Sequence, residues 1–148
     1  MYNNLYGEKY DKNLNIKDIA KLVKKEASKK YPDCKISAKT EHGEVIRIAV
    51  TLDKEEYRAK TIDEVPRGAI YWDIERKIGN DGIIQEEDFK EYIENNIVKS
   101  TRAIEIERDV INMLENYNYN KSDIMTDYFD YNFYGFVDIE YKEENWFN

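Results

Sequence analysis

The apolar residues of this chain change period, and that change most limits how it can fold. Ile16, Ile19, Ala20, Val23 and Ala27 recur at the spacing of one helix face, with Lys21, Lys24, Lys25, Lys29 and Lys30 at other positions. Asn15 is a good N-cap and Asp18 suits the first turn, so the pattern predicts an amphipathic helix ending near Tyr31, before Pro32. From Cys34 to Thr40 the period becomes two: Cys34, Ile36 and Ala38 alternate with Lys35, Ser37 and Lys39. His42-Gly43 reads as a tight turn, and Val45 to Leu52 is rich in β-branched residues. This half predicts a helix followed by an antiparallel hairpin.

Residues 53–66 are charged and irregular by pattern. Ala69 to Ile74, carrying Tyr71 and Trp72, reads as a third strand, and Gly79-Asn80-Asp81-Gly82 as a turn. A second helix is predicted from about Gln85, with Phe89, Tyr92, Ile93 and Ile97 as apolar positions. A third runs from about Thr101 to Asn116 on Ala103, Ile106, Val110, Met113 and Leu114, widened by Ile104 and Ile111. Nothing between Lys99 and Arg102 forces a break, so the two also read as one longer helix. Phe133 to Tyr141 is the last strand, with Phe133, Gly135, Val137, Ile139 and Tyr141 on one parity. Met1 to Asn13 is polar and Tyr-rich, and reads as a loose arm or an edge strand. The expectation is a single α+β domain over residues 1–148, an antiparallel sheet with helices mainly on one face.

The 148 residues fit one domain, and a hydrophobic content of 41% suits a chain that folds. No stretch approaches the roughly 20 apolar residues of a membrane span. The first ten residues lack the apolar core of a secretory signal, so a cytoplasmic location is expected. One Cys (Cys34) and one His (His42) allow no internal disulfide and argue against a structural zinc site. In the predicted hairpin the two stand about 25 Å apart, which excludes them as a catalytic pair. There is no glycine-rich phosphate loop and no nucleophile-elbow pattern. A non-enzymatic protein without a cofactor or metal is expected.

The net charge of -8 is uneven. Residues 1–72 carry 15 Lys and Arg against 12 Asp and Glu, a balance of +3, whereas residues 73–148 carry 8 against 19, a balance of -11. An acidic half repels phosphates and attracts basic protein surfaces. The densest feature runs from Ser122 to Tyr134. Asp123, Asp127 and Asp130 would share a face of a helix there, among Tyr128, Tyr131 and Tyr134. Such a cluster suits a divalent cation, although the spacing does not match an EF-hand loop, or imitates a run of phosphates. The competing use is a capped short helix whose aromatics pack on the sheet. The 13 Tyr favour protein contact, since base-stacking aromatics usually line a basic groove. The six residues Asp123, Asp127, Tyr128, Asp130, Tyr131 and Tyr134 are therefore the candidate partner-binding set. The Lys-rich first helix is the alternative, as a nucleic-acid contact. The sequence leaves the oligomeric state open.

Two segments resemble a domain family associated with large polyvalent proteins of phages and conjugative elements. Ile16-Lys17-Asp18-Ile19-Ala20-Lys21-Leu22-Val23-Lys24-Lys25-Glu26, continuing to Tyr31-Pro32 and Lys35-Ile36-Ser37, is similar to that family's opening helix, aromatic-Pro turn and first strand. Asn118-Tyr119, Ser122-Asp123-Ile124-Met125-Thr126-Asp127-Tyr128-Phe129 and Phe133-Tyr134 are similar to its closing motif. Together they cover about a quarter of the chain. Ala38 stands where a larger apolar residue is typical, and Val45 to Leu52 lacks the Trp and Gly-Pro ending of the family strand. The resemblance implies a mobile-element origin and no catalytic residues. By analogy with small phage proteins, it leads to the expectation of a protein that binds and inhibits a host defence factor of the CRISPR or restriction type.

Overall fold

The computed structural model describes residues 6–65, 67–78, 84–119 and 132–142, with the backbone alone at 67–69 and 77–78. The chain is α+β. Its elements are α1 (Ile16–Lys30), β1 (Lys35–Glu41), β2 (Val45–Asp53), α2 (Lys54–Tyr57), a 3-10 turn (Ile62–Glu64), α3 (Arg67–Ile78), α4 (Glu86–Asn95), α5 (Thr101–Glu115) and β3 (Tyr134–Lys142). They form two compact units. One holds residues 1–51 and 107–140, the other residues 52–106 and 141–148.

In the first unit, α1 starts in a reciprocal cap. The Asn15 side chain accepts from the Asp18 amide at 2.8 Å, and the Asp18 carboxylate accepts from the Asn15 amide at 3.4 Å. Ile19, Ala20, Val23 and Ala27 are its buried positions, and the helix packs against β1. β1 and β2 pair antiparallel, with Glu41 opposite Val45 and Lys35 opposite Thr51. The hairpin turns at His42 (φ 54°) and Gly43 (φ 72°), two successive left-handed residues, and the Glu44 amide closes it on the Glu41 carbonyl at 3.1 Å. Ile36, Ile46, Ile48 and Val50 are buried, as are Val110, Met113, Leu114 and Phe133 of the same unit.

The sheet corrects one expectation. Its order is β1-β2-β3 and its pairing is mixed, so β3 lies parallel to β2 instead of completing an antiparallel sheet. Between β2 and β3 the chain runs through four helices. A strand re-entering after so long a crossover is free of the antiparallel direction that a hairpin imposes. β3 starts beside the start of β2, where the Tyr134 amide donates to the Glu44 carbonyl at 2.8 Å.

A polar tie fixes the end of α1. Tyr31 and Lys30 both donate to the Asp109 carboxylate on α5. Burial works against the Asp109 charge, but the hydrogen bonds from Lys30 and Tyr31 outweigh it and hold the carboxyl below its ordinary value of 3.8. Its contribution to stability is therefore complete above that value and is lost as pH falls through the lower folded-state value. Asp109→Asn should cost about 1–2 kcal/mol at neutral pH. The gap from the parent should close in acid, as read by urea unfolding across pH. Glu115 titrates in both proteins and cancels from the difference. A gap that stays flat with pH would mean that the carboxylate charge contributes nothing.

The second unit packs Ala59, Val65, Ile70, Ile74, Phe89, Ile93 and Val98 into its own core. Ser100 organises the entry to α5: its hydroxyl donates to the Glu56 carbonyl at 2.7 Å and accepts from the Ala103 amide at 3.1 Å. That cap separates α4 from α5, so the single long helix is not formed. Arg58 donates to the Ile93 and Glu94 carbonyls at 3.3 and 3.0 Å, at the C-terminal end of α4, where the helix dipole favours a cation. Residues 69–74, expected as a strand, lie in α3. Ile70 and Ile74, one helical turn apart, are buried, while Tyr71 and Trp72 between them face solvent. Residues 53–66, expected to be irregular, contain α2 and the 3-10 turn.

Candidate functional site

Asn118 holds the C-terminal part of the first unit together. It is buried, and its side-chain oxygen accepts from the amides of Tyr119 (2.9 Å), Asn132 (3.1 Å) and Phe133 (3.2 Å). Its NH₂ donates to the Phe133 carbonyl at 3.0 Å and to the Glu115 carboxylate at 3.3 Å. The Glu115 carboxyl is pushed up by burial, against the hydrogen bond from Asn118. Asn132 in turn donates to the Tyr117 carbonyl at 3.1 Å from its side chain and to the Tyr119 carbonyl at 3.3 Å from its backbone. Tyr119, which precedes the densest sequence feature, and Asn132, near the end of that feature, are thus fastened to one point. Five of the six candidate residues, Asp123, Asp127, Tyr128, Asp130 and Tyr131, lie outside the described residues. The sixth, Tyr134, opens β3 with its side chain exposed.

β3 alternates. Gly135, Val137 and Ile139 turn inward, and Gly135 stands against the Leu114 side chain. Tyr134, Phe136, Asp138 and Glu140 occupy the opposite parity and are all exposed. The outer face therefore carries two aromatic rings followed by two carboxylates and, at the end of the strand, Lys142. Among the described residues neither carboxylate has an ion pair. On the same face of the neighbouring strand, the Arg47 guanidinium lies 4.6 Å from the Phe136 ring centroid. Glu41 positions it by accepting from Nε at 3.0 Å, and sits 3.7 Å from the Lys39 ammonium. Phe136, Asp138 and Glu140 were absent from the candidate set. The alternation that pointed Val137 and Ile139 inward was the signal for them.

The acidic charge of the second unit is partly engaged. Glu55 pairs with Lys60 (2.9 Å), Asp73 with Arg76 (3.2 Å), Glu56 with Arg102 (3.4 Å) and Glu87 with Lys90 (3.8 Å). Tyr92 donates to Asp73 at 3.1 Å, and burial followed by that neighbour pushes its phenol up. Trp72 is 66% exposed and meets Tyr71 edge to face. An open groove of about 450 Å³ is lined by Lys60, Asp63, Lys90 and Glu94, charges of both signs. Among the described residues no three His, Cys, Asp or Glu side chains converge to hold a metal, and no helix is long and apolar enough to cross a membrane. Cys34 precedes β1 and His42 follows it, so the pair stands at opposite ends of that strand. No family model, curated protein or solved structure matches the chain.

Proposed function

We propose that this chain is a non-enzymatic protein of a phage or mobile element that binds and inhibits a basic host defence protein, a CRISPR effector or a restriction nuclease, in the host cytoplasm. The outer face of β3 supports this reading. Tyr134 and Phe136 offer rigid aromatic anchors, and Asp138 and Glu140 offer charge of the sign that a nucleic-acid-binding protein attracts. Binding energy in protein interfaces concentrates in a few aromatic and arginine anchors, while complementary charge steers the encounter. The resemblance to polyvalent mobile-element proteins leads to the choice of a defence factor.

The test is a strain carrying a defined nuclease system, infected with a phage that the system restricts. Expression of the chain should restore plating, and Tyr134→Ala with Phe136→Ala should weaken binding to the purified nuclease about tenfold. Plating that stays restricted with both CRISPR and restriction systems would reject the proposal.

One observation favours a second reading, nucleic-acid contact through α1. Lys17, Lys21, Lys24, Lys25 and Lys29 are exposed and have no acidic partner among the described residues. That reading expects a salt-sensitive shift of labelled DNA that is lost on reversing those charges and indifferent to Tyr134 and Phe136.

A further inference from the structure

We propose that the open edge of β3 receives an extended, arginine-bearing segment of the partner as an added strand. The inference rests on the reading that the outer face of β3 is the contact surface, and it specifies how that contact is made.

β3 lies at the edge of the sheet and, among the described residues, pairs only with β2. Its Tyr134 amide points at β2. Successive amides of a strand point to opposite sides, so Gly135, Val137 and Ile139 direct theirs to the open side. An unpaired row of this kind is a template for a further strand. The other edge is defended differently. β1 carries the exposed ammonium groups of Lys35 and Lys39, a common guard against strand addition. The exposed parity of β3 carries its one lysine, Lys142, at the far end of the strand, and none from Tyr134 to Glu140.

The molecule itself shows what such a strand would bring. Arg47, one strand away, holds its guanidinium over Phe136. A strand added on the other side of β3 would lie at the same spacing of about 4.8 Å. An arginine on its outer face would then meet the Tyr134 or Phe136 ring as Arg47 does. A second arginine would meet Asp138 or Glu140, which have no ion pair among the described residues. Arginine suits both sites better than lysine, because its planar head stacks on a ring and forks onto a carboxylate. The same carboxylates repel single-stranded nucleic acid, and a second copy of this chain would crowd them against their own kind.

The experiment uses the full chain and a fluorescent synthetic peptide alternating arginine and threonine, with lysine-threonine and glutamate-threonine peptides as controls. The arginine peptide should bind and slow hydrogen exchange at the Gly135, Val137 and Ile139 amides. Phe136→Ala, and separately Asp138→Asn with Glu140→Gln, should each weaken binding about tenfold. The lysine peptide should bind more weakly and the glutamate peptide not at all. Val137→Pro removes an outward amide without touching the β2 pairing, and should abolish binding while thermal unfolding stays cooperative. If that variant unfolds, the exchange map of the parent protein decides. Protection at β1 instead, equal affinity for all three peptides, unchanged affinity in the Phe136 variant, preferential binding of labelled single-stranded DNA at this face, or pairing of two copies through β3 would each overturn the inference. Peptide binding without nuclease inhibition would leave the strand-addition site standing and remove the defence role. Inhibition without peptide binding would do the reverse.

Discussion

Asn118→Ala is expected to cost about 3 kcal/mol of unfolding free energy, a large share of the roughly 5–15 kcal/mol that holds a domain folded. Alanine leaves three amides, those of Tyr119, Asn132 and Phe133, without the oxygen they share. It also strands the Phe133 carbonyl, which accepts from the Asn118 NH₂. Phe133 is buried, so water cannot easily replace its two lost partners, whereas Tyr119 and Asn132 are half-buried and recover part of theirs. Denaturant unfolding should show a lower midpoint with an unchanged slope. Hydrogen exchange at the Phe133 amide should accelerate more than at Val23, which lies in α1. A loss under about 1 kcal/mol would mean that the two ends of the segment are held by something other than this side chain.

The same residue shows where sequence reasoning stops. Tyr117 to Asn120 has the composition of a turn, and Asn118 is found at one. Its main work, however, is to bond Asn132 and Phe133, some 15 residues ahead, and no local pattern announces so distant a partner. Where the determinants are local, the fold was legible. α1, α4 and α5 follow from period and caps, and the hairpin from its alternation. α3 failed because Ala69-Ile70-Tyr71-Trp72-Asp73-Ile74 satisfies two patterns at once. Its β-branched and aromatic content suggests a strand, but the buried pair is Ile70 and Ile74, one helical turn apart. The direction of β3 depends on the path of the chain between β2 and β3, which the residues of β3 do not encode. On the candidate surface, Tyr134 stands in the partner-binding set because of its aromatic neighbourhood in the sequence. Phe136, Asp138 and Glu140 required following the outward parity of a strand already recognised.

Gly7→Ala should release the N-terminal arm from the end of α5. In sequence the arm reads as loose or as an edge strand; residues 6–10 are docked, with Tyr6 bridged antiparallel to Tyr119. The Gly7 amide donates to the Asn118 carbonyl and the Lys9 amide to the Asn116 carbonyl, both at 2.8 Å. Tyr6, Tyr10 and Tyr119 form a cluster with ring centroids 5.0–5.8 Å apart, and Lys9 pairs with Glu26 on α1 at 3.0 Å. A Cβ on residue 7 would stand 2.3 Å from the Asn116 carbonyl oxygen and 2.5 Å from that of Glu115. Both obstacles are backbone at the end of a helix, so no side-chain rotation relieves them, and the arm must lift. The cost should be about 2–3 kcal/mol, shared between the lost hydrogen bonds and the opened ring cluster. Exchange of the Gly7-position and Lys9 amides should lose its protection, and limited proteolysis should cut within the arm. Asn118 is the reason the effect should not stay local. Its carbonyl receives the arm while its side chain fastens Asn132 and Phe133, so freeing the arm should also speed exchange at Phe133. Protection at Phe133 that is unchanged while the Lys9 amide opens would show the two anchors to be independent.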